Sequence, residues 1–287
     1  MTDFPSSRYP SSAESYEFIK ENWSAKIILA VTSSLVCANL VTRKYQDDLT
    51  LGDKVWIPVG SNLTAGDVDV TSDYGGNMNS DFGDTVESIT IDTWKEVPVQ
   101  IDDGTKRQTH IRDLEQILGT RAGYELAKAI DTAVNALFSS LTSTWAGSDG
   151  QAFTDDLVIN LKEGLDEADV PAEGRVIVVD PSVVADIYKI DKFVHASYGA
   201  GSVAQTGNIG KLYGMPVYVT NNLTAASTGA YGAMFHPDCI GLCMQKTPTV
   251  ESNRWAARHS DVINVSAMWG VDVVRSAFGA YFFTRKA

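Results

Sequence analysis

The feature that most constrains this chain is a run of apolar residues between 111 and 141, IRDLEQILGTRAGYELAKAIDTAVNALFSSL. Leu114, Leu118, Ala122, Leu126, Ile130, Ala133, Leu137 and Leu141 recur at three- and four-residue steps, which places them on one face of an α-helix. Ile117, Tyr124, Ala127, Val134 and Phe138 widen the stripe. Unbroken, such a helix is roughly 45 Å long at 1.5 Å per residue, and an apolar girth of that length must be covered by other elements or other chains. Gly119 and Gly123 each cost about 1 kcal/mol relative to alanine in a helix interior. They mark either a close backbone approach or a break, with Gly119 ending one helix and Thr120 capping the next. Upstream, Thr105 and Gln108 have the spacing of a capping box.

The rest of the chain must supply that cover, and its bulk properties allow it. At 287 residues it can bury a real core in one or two domains. A formal net charge of −13 and a pI of about 4.7 exclude a general electrostatic grip on nucleic acid, which needs clustered Lys and Arg. Cys37, Cys239 and Cys243 have no disulfide-framework spacing and fit a reducing compartment. The apolar run at 27–40 is shorter than the roughly 18–20 residues of a membrane span, so no membrane is expected. As a signal peptide it starts too late and follows Glu14, Glu17 and Glu21; Val36 also spoils the lipoprotein-like triplet at 35–37.

Residues 1–12 read as a loose Ser/Pro arm, and 13–41 as helical, with Ile28, Val31, Leu35 and Ala38 in a stripe. Residues 49–101 change character. KVWIPV at 54–59 reads as a strand, and Pro58 argues for an edge position. Ile89 and Ile91, then Val97, Val99 and Ile101, alternate at period two. The stretch 60–83 between them is rich in Gly, Asp, Ser and Asn. The segment is predicted to be a long two-stranded excursion, marginal alone and needing a surface to lie on. Between Val55 and Trp94 there is no Lys or Arg, whereas Asp67, Asp69, Asp73, Asp81, Asp84, Glu87 and Asp92 are acidic. Such an arm is either a solvated loop or one that docks on a basic surface of another subunit. Lys106, Arg107, Arg112 and Arg121, or Arg254 and Arg258, are the candidates for that surface.

Beyond the long helix, 153–168 is an amphipathic helix stopped by Val170-Pro171, and 175–179 (RVIVV) is a buried strand. Asp180 caps a helix that starts at Pro181 and runs to about Ile190. Residues 194–207 form a small-residue loop, 209–219 a tight strand pair, and 231–235, 240–245, 260–274 and 278–285 further strands. Helices and strands mix without a βαβ repeat, so the fold class is α+β.

Motifs that could carry chemistry fail on context. Gly199-x-Gly201-x-x-Ala204 lies in a polar loop rather than between a strand and a helix. Asp67 and Asp69 imitate a phosphotransferase aspartate without the buried strand that holds one. His236, Asp238, Cys239 and Cys243 lack the second ligand pair of a zinc site, so buried strand cysteines are expected there. No catalytic, metal or cofactor-binding residue can be nominated.

The ordered set LGDKVWIP at 51–58, LAKAID at 126–131, LDEADVP at 165–171, RVIVVDP at 175–181, GNIGKLYGMPV at 207–217 and AMWGVDV at 267–273 resembles the major capsid (coat) proteins of tailed phages, a fold shared with encapsulin shell proteins. The resemblance implies an N-terminal arm (1–48), an extended β-hairpin loop (49–101) and a peripheral domain with a long spine helix (102–149). It also implies an axial domain (150–246) and C-terminal strands returning to the peripheral domain (247–287). It implies no enzyme and no cofactor, but a subunit that assembles with itself into hexamers and pentamers of an icosahedral shell around double-stranded phage DNA, held without sequence-specific binding. Partners would be a separate scaffolding protein, a portal and decoration proteins; the location would be the virion capsid, assembled in the host cytoplasm. Lys54 and Lys95 lie only at the base of the loop, so the covalent cross-link of some relatives is not expected. The alternatives are an encapsulin-like compartment, or a soluble α+β enzyme using the 196–208 loop or the His236/Cys239 region.

Overall fold

The computed structural model describes residues 36–46, 52–59, 85–109, 114–190 and 210–285. Its longest helix is the predicted spine. Following a short helix α1 (Asp103–Gln108), α2 (Leu114–Ala136) runs uninterrupted through both glycines, and its last turn tightens into a 3-10 helix at Leu137–Ser140. Neither Gly119 nor Gly123 has an atom within 4 Å of where a Cβ would stand. Of the two alternatives for these glycines, the break with Thr120 as a cap does not occur, and no described residue makes a close approach at either one. Propensity loses here to tertiary packing, because Ala122, Leu126, Ile130, Val134, Phe138 and Leu141 form a buried seam one helical turn apart. α1 begins two residues before Thr105, behind the extended residue Asp102, so the predicted capping box is also not used.

Of the helix predicted over 13–41, residues 13–35 lie outside the described residues. The remainder is a 3-10 turn, Cys37–Asn39, after which Thr42 forms a parallel bridge to Gly241.

The strands sort into three sheets. β1 (Lys54–Val59) pairs antiparallel with β2 (Thr85–Thr90), as predicted for the base of the excursion, and both β1 and β2 have a single partner. β3 (Thr93–Asp102) leaves the hairpin and becomes the edge of a three-stranded antiparallel sheet. It pairs with β9 (Ser260–Val273), which pairs on its other side with β8 (Ile240–Trp255); these are the two longest described strands, and α3 (Asp155–Glu167) intervenes in the chain. β8 continues well past its predicted end at Gln245. Register shifts between Met244 and Thr249 absorb Pro248, which has no N–H to give to the ladder, and pairing resumes beyond it.

The third sheet is five-stranded, ordered β10-β7-β4-β6-β5. β4 (Val176–Val179) lies at its centre, parallel to β6 (Met215–Val219) and antiparallel to β7 (Gly229–Phe235). β5 (Lys211–Leu212) and β6 join through Tyr213 and Gly214, both at positive φ (47° and 87°), the geometry of a type I′ hairpin turn. Between β4 and β6 runs α4 (Pro181–Ile187), so the described residues include a βαβ crossover that the sequence pattern did not disclose. Asp180 Oδ1 accepts from Ser182 N at 3.0 Å and Pro181 takes the first helical position, as expected. β10 (Gly279–Arg285) pairs with β7. The expected return of 247–287 as one block therefore divides: β8 and β9 lie beside the spine helix, while β10 joins the sheet of the 150–246 segment.

Every residue of β4 is buried, and its two faces feed different cores. Val176 and Val178 face the cluster built on α2, together with Phe235, Ile240, Leu242 and Trp269. Ile177 and Val179 face α3 and α4 through Leu161, Leu165, Val183 and Ile187. Alternation along a strand explains this directly, and a continuous VIVV run is what a strand covered on both faces requires.

Candidate assembly interface

The base of the hairpin shows how an excursion is tied down. Val55, Ile57, Ile89 and Ile91 point inward onto Cys243 and Val274. A Cβ added at Gly241 would stand 2.4 Å from Ile89 Cδ1, and one at Gly270 would stand 2.1 Å from Thr90 O. Two glycines in β8 and β9 thus admit the hairpin to contact distance. The opposite face carries Trp56, 63% exposed, and Val86. Trp94, at the start of β3, is 71% exposed. Large apolar side chains left open on a two-stranded element make it a candidate contact surface.

A second uncovered surface lies at the far end of β8 and β9, where Val250 and Trp255 are exposed. The Arg258 guanidinium sits 4.5 Å from the Trp255 ring centroid, and His259 turns the chain at φ 47°. An open groove of about 420 Å³ runs beside it, lined by Glu251, Asn253, Arg254, Trp255, Val262 and Asn264. Arg254 is held by Asp103 in a two-pronged contact (2.6 and 2.5 Å) and by Asp261 at 3.0 Å; Lys106 also reaches Asp261. α1 is thereby clamped to the tip, with Asp103 N donating to His259 O at 3.0 Å. The Arg254 guanidinium holds the Asp103 carboxyl below the usual carboxylate range, and Lys106 with Arg254 does the same to Asp261.

Among the expected contact residues, the structure brings Arg254 and Arg258 together at this tip and leaves Arg121 exposed on α2. Arg254 is engaged within its own subunit, a use the sequence did not suggest. Asp67, Asp69, Asp73, Asp81 and Arg112 lie outside the described residues, as does the Gly199 motif.

The sequence reading missed a polar hub on the spine helix. Asp131 is fully buried, and its carboxylate accepts from Ala38 N (3.1 Å), Asn222 Nδ2 (3.2 Å) and Asn135 Nδ2 (3.4 Å). Asn135 also donates to Asn222 O at 2.9 Å. The hub joins α2 to the incoming segment at 38 and to the loop after β6. Its signal was an Asp and an Asn four residues apart beside an apolar seam, where buried polar groups need partners.

His236 Nδ1 accepts from Asp238 N at 3.2 Å, and burial pushes the Cys239 thiol up to about 12. Burial, with the Asp131 charge beside it, likewise raises Cys37. All three cysteines are buried, as read for the two in the strand region. Among the described residues no group of three or more His, Cys, Asp or Glu could hold a metal, and no helix is long and apolar enough to cross a membrane.

The fold has close relatives in shape. The chain is similar to a structure from Mycobacterium phage Che8, with 27% identity over 92% of this chain and 97% of that one and a TM-score of 0.79. It is similar to the capsid of Cyanophage P-SCSP1u, with 16% identity, coverage of 95% and 94%, and a TM-score of 0.74. The asymmetric unit of the bacteriophage PhiM1 mature capsid matches with 15% identity, 99% coverage of both chains and a TM-score of 0.67. A search of curated proteins gives no match. A family model described as phage capsid protein matches residues 84–283, most of the chain, from the second hairpin strand to the last strand. The chain belongs to the phage capsid protein family and is a structural protein of the virion shell.

Proposed function

We propose that this chain is the major capsid protein of a tailed phage, assembling with itself into the hexamers and pentamers of an icosahedral shell that encloses double-stranded DNA. The observation that carries this reading is the placement of uncovered apolar side chains, Trp56, Val86 and Trp94 on and beside the hairpin and Val250 and Trp255 at the strand tip. These are the elements a subunit would extend toward its neighbours. The acidic stretch between Val55 and Trp94 would dock on basic side chains of the next subunit, with Arg112, Arg121 and Arg258 the candidates and Arg254 shared with its own Asp103. The 49–101 segment would be the extended loop, 102–149 the peripheral domain with its spine, and 150–246 the axial domain, completed by β10 through its pairing with β7.

A separate scaffolding protein, a portal and decoration proteins would complete the particle, assembled in the host cytoplasm. DNA would be confined rather than gripped, consistent with a net charge of −13. A shell role without catalysis is favoured over a soluble enzyme by the buried, unreactive Cys239 and by the engaged His236. The family match favours a phage shell over an encapsulin-like compartment.

Electron microscopy of concentrated protein, with and without co-expressed scaffold, tests the reading: closed shells are expected, and uniform monomers under all conditions would overturn it. Replacing Asp67, Asp69 and Asp73 with Lys is expected to impair assembly while the monomer stays folded. Unchanged shell yield would remove the docking model.

A further inference from the structure

We propose, resting on the reading of the hairpin as an element of contact between subunits, that Gln245 is a positioning residue. Ejected from the β8 ladder, its side chain pins the entering leg of the hairpin and fixes the angle at which the hairpin leaves the body. The hairpin stands on two legs. The leaving leg is secured by backbone: Thr90 lies over Gly270, and from Thr93 onward the chain is paired with β9. The entering leg, Gly52 and Asp53, belongs to no ladder of the described residues. Ile91 N donates to Asp53 O at 2.7 Å, but that bond only joins one leg to the other. Among the described residues, the hydrogen bond that ties the entering leg to the body runs from Gln245 Nε2 to Gly52 O, at 3.0 Å.

An irregularity in β8 makes that bond possible. Met244 pairs with Trp269 and Lys246 with Met268, adjacent positions on β9, so Gln245 is the extra residue of a β-bulge and has no partner across the ladder. Bulges re-aim side chains in this way. The neighbours of Gln245 are occupied elsewhere: Met244 packs against the cluster built on α2, and Lys246 reaches Ser266 Oγ at 2.9 Å and Glu251 Oε1 at 3.2 Å. Gly52 has φ 107°, in the region that favours glycine, so the chain pivots where Gln245 holds it. The apolar contacts of Val55, Ile57, Ile89 and Ile91 with Cys243 and Val274 attach the hairpin, but the hydrophobic effect has no direction. A hydrogen bond sets both distance and angle. β1 is about 20 Å long at roughly 3.3 Å per residue, so a tilt of about 10° at its base moves its far end by about 3–4 Å.

Gln245→Met keeps the length of the side chain and removes its donor, whereas Gln245→Lys restores a donor. Spin labels on the full chain at Glu87→Cys in β2 and Glu163→Cys in α3, both exposed while the native cysteines are buried, report the pose of the hairpin. The label-to-label distance distribution is expected to broaden in Gln245→Met and to narrow again in Gln245→Lys. The Ile91 amide is expected to lose about two- to tenfold in hydrogen-exchange protection, the scale of one hydrogen bond, while β4 amides hold theirs. Shell yield by electron microscopy should fall in Gln245→Met and recover in Gln245→Lys. An unchanged distribution in Gln245→Met, a broadening that Gln245→Lys does not reverse, or equal shell yield beside a broadened distribution would each overturn the proposal. If Gln245→Met does not fold, Gln245→Glu, of the same shape and without a donor when ionised, is read in its place. If the unaltered chain forms no shells, the contact role of the hairpin fails by itself, and the distance distributions still decide whether Gln245 fixes its pose.

Discussion

The carbonyl oxygen of Thr90 lies over Gly270, 2.1 Å from where a Cβ would stand. The base of the hairpin therefore crosses the three-stranded sheet at backbone-to-backbone distance, and glycine is required in β9 for reasons of space alone. At Gly241 the obstruction is the end of the Ile89 side chain, 2.4 Å away, with Val274 Cγ2 at 3.1 Å.

Gly241→Ala and Gly270→Ala are both expected to destabilise the subunit, by about 1–3 kcal/mol for overpacking, with Gly270→Ala the more damaging. A side-chain methyl can rotate away; a carbonyl fixed in the β2 ladder cannot. Denaturant midpoints of the two variants measure the order, and equal midpoints would contradict the backbone argument.

Asp131→Ala leaves the half-buried Ala38 N without its acceptor and removes one of the acceptors of Asn222 Nδ2, which keeps Thr132 Oγ1. A loss of about 1–3 kcal/mol for each unsatisfied group is expected. A double-mutant cycle with Asn222→Ala should give a coupling of about 0.5–3 kcal/mol, as for residues sharing one network. Additive effects would mean that the hub acts only through packing.

The clamp at the strand tip should persist at neutral pH and open only in acid. Asp103 and Asp261 have folded values held below the ordinary carboxylate range by Arg254 and Lys106. Their contribution is therefore present above that range and fades as pH falls through the lowered values. Hydrogen exchange of α1 amides should be steady from pH 7 to 5 and rise below about pH 4, the unfolded aspartate range. Arg254→Ala should raise it already at pH 7, and added salt should weaken the clamp because the pairs are exposed.

Cys37, Cys239 and Cys243 should resist alkylation at pH 8 in the folded chain and react together on unfolding. Burial raises Cys239 to about 12 and Cys37 in the same direction, so almost no thiolate is present to react. A thiol count against denaturant concentration checks this; a fast-reacting thiol in buffer would contradict it.

Much of the fold could be read from local pattern. The VIVV strand, the Asp180-Pro181 helix start, the hairpin base with its edge proline and the spine stripe all express short-range rules, and each formed. The errors share one cause: a long-range contact outweighed a local signal. Gly119 and Gly123 left open a break or a close backbone approach, yet the buried seam from Ala122 to Leu141 carries the helix straight through. Pro248 interrupts the ladder, yet β9 holds β8 together on either side of it. Of the assembly surface, the charged candidates could be named from the sequence but the exposed tryptophans could not, because their exposure depends on which strand face meets the core.

The sequence alone determined the α+β class, the spine, the strand inventory and the resemblance to phage capsid proteins, because periodicity and turn chemistry act over a few residues. Only the tertiary structure decided that β10 pairs with β7, that Asp131 ties the spine to Ala38 and Asn222, and that Gly241 and Gly270 admit the hairpin. Those relations join residues far apart in the chain, and no local period encodes which distant surface a side chain will meet.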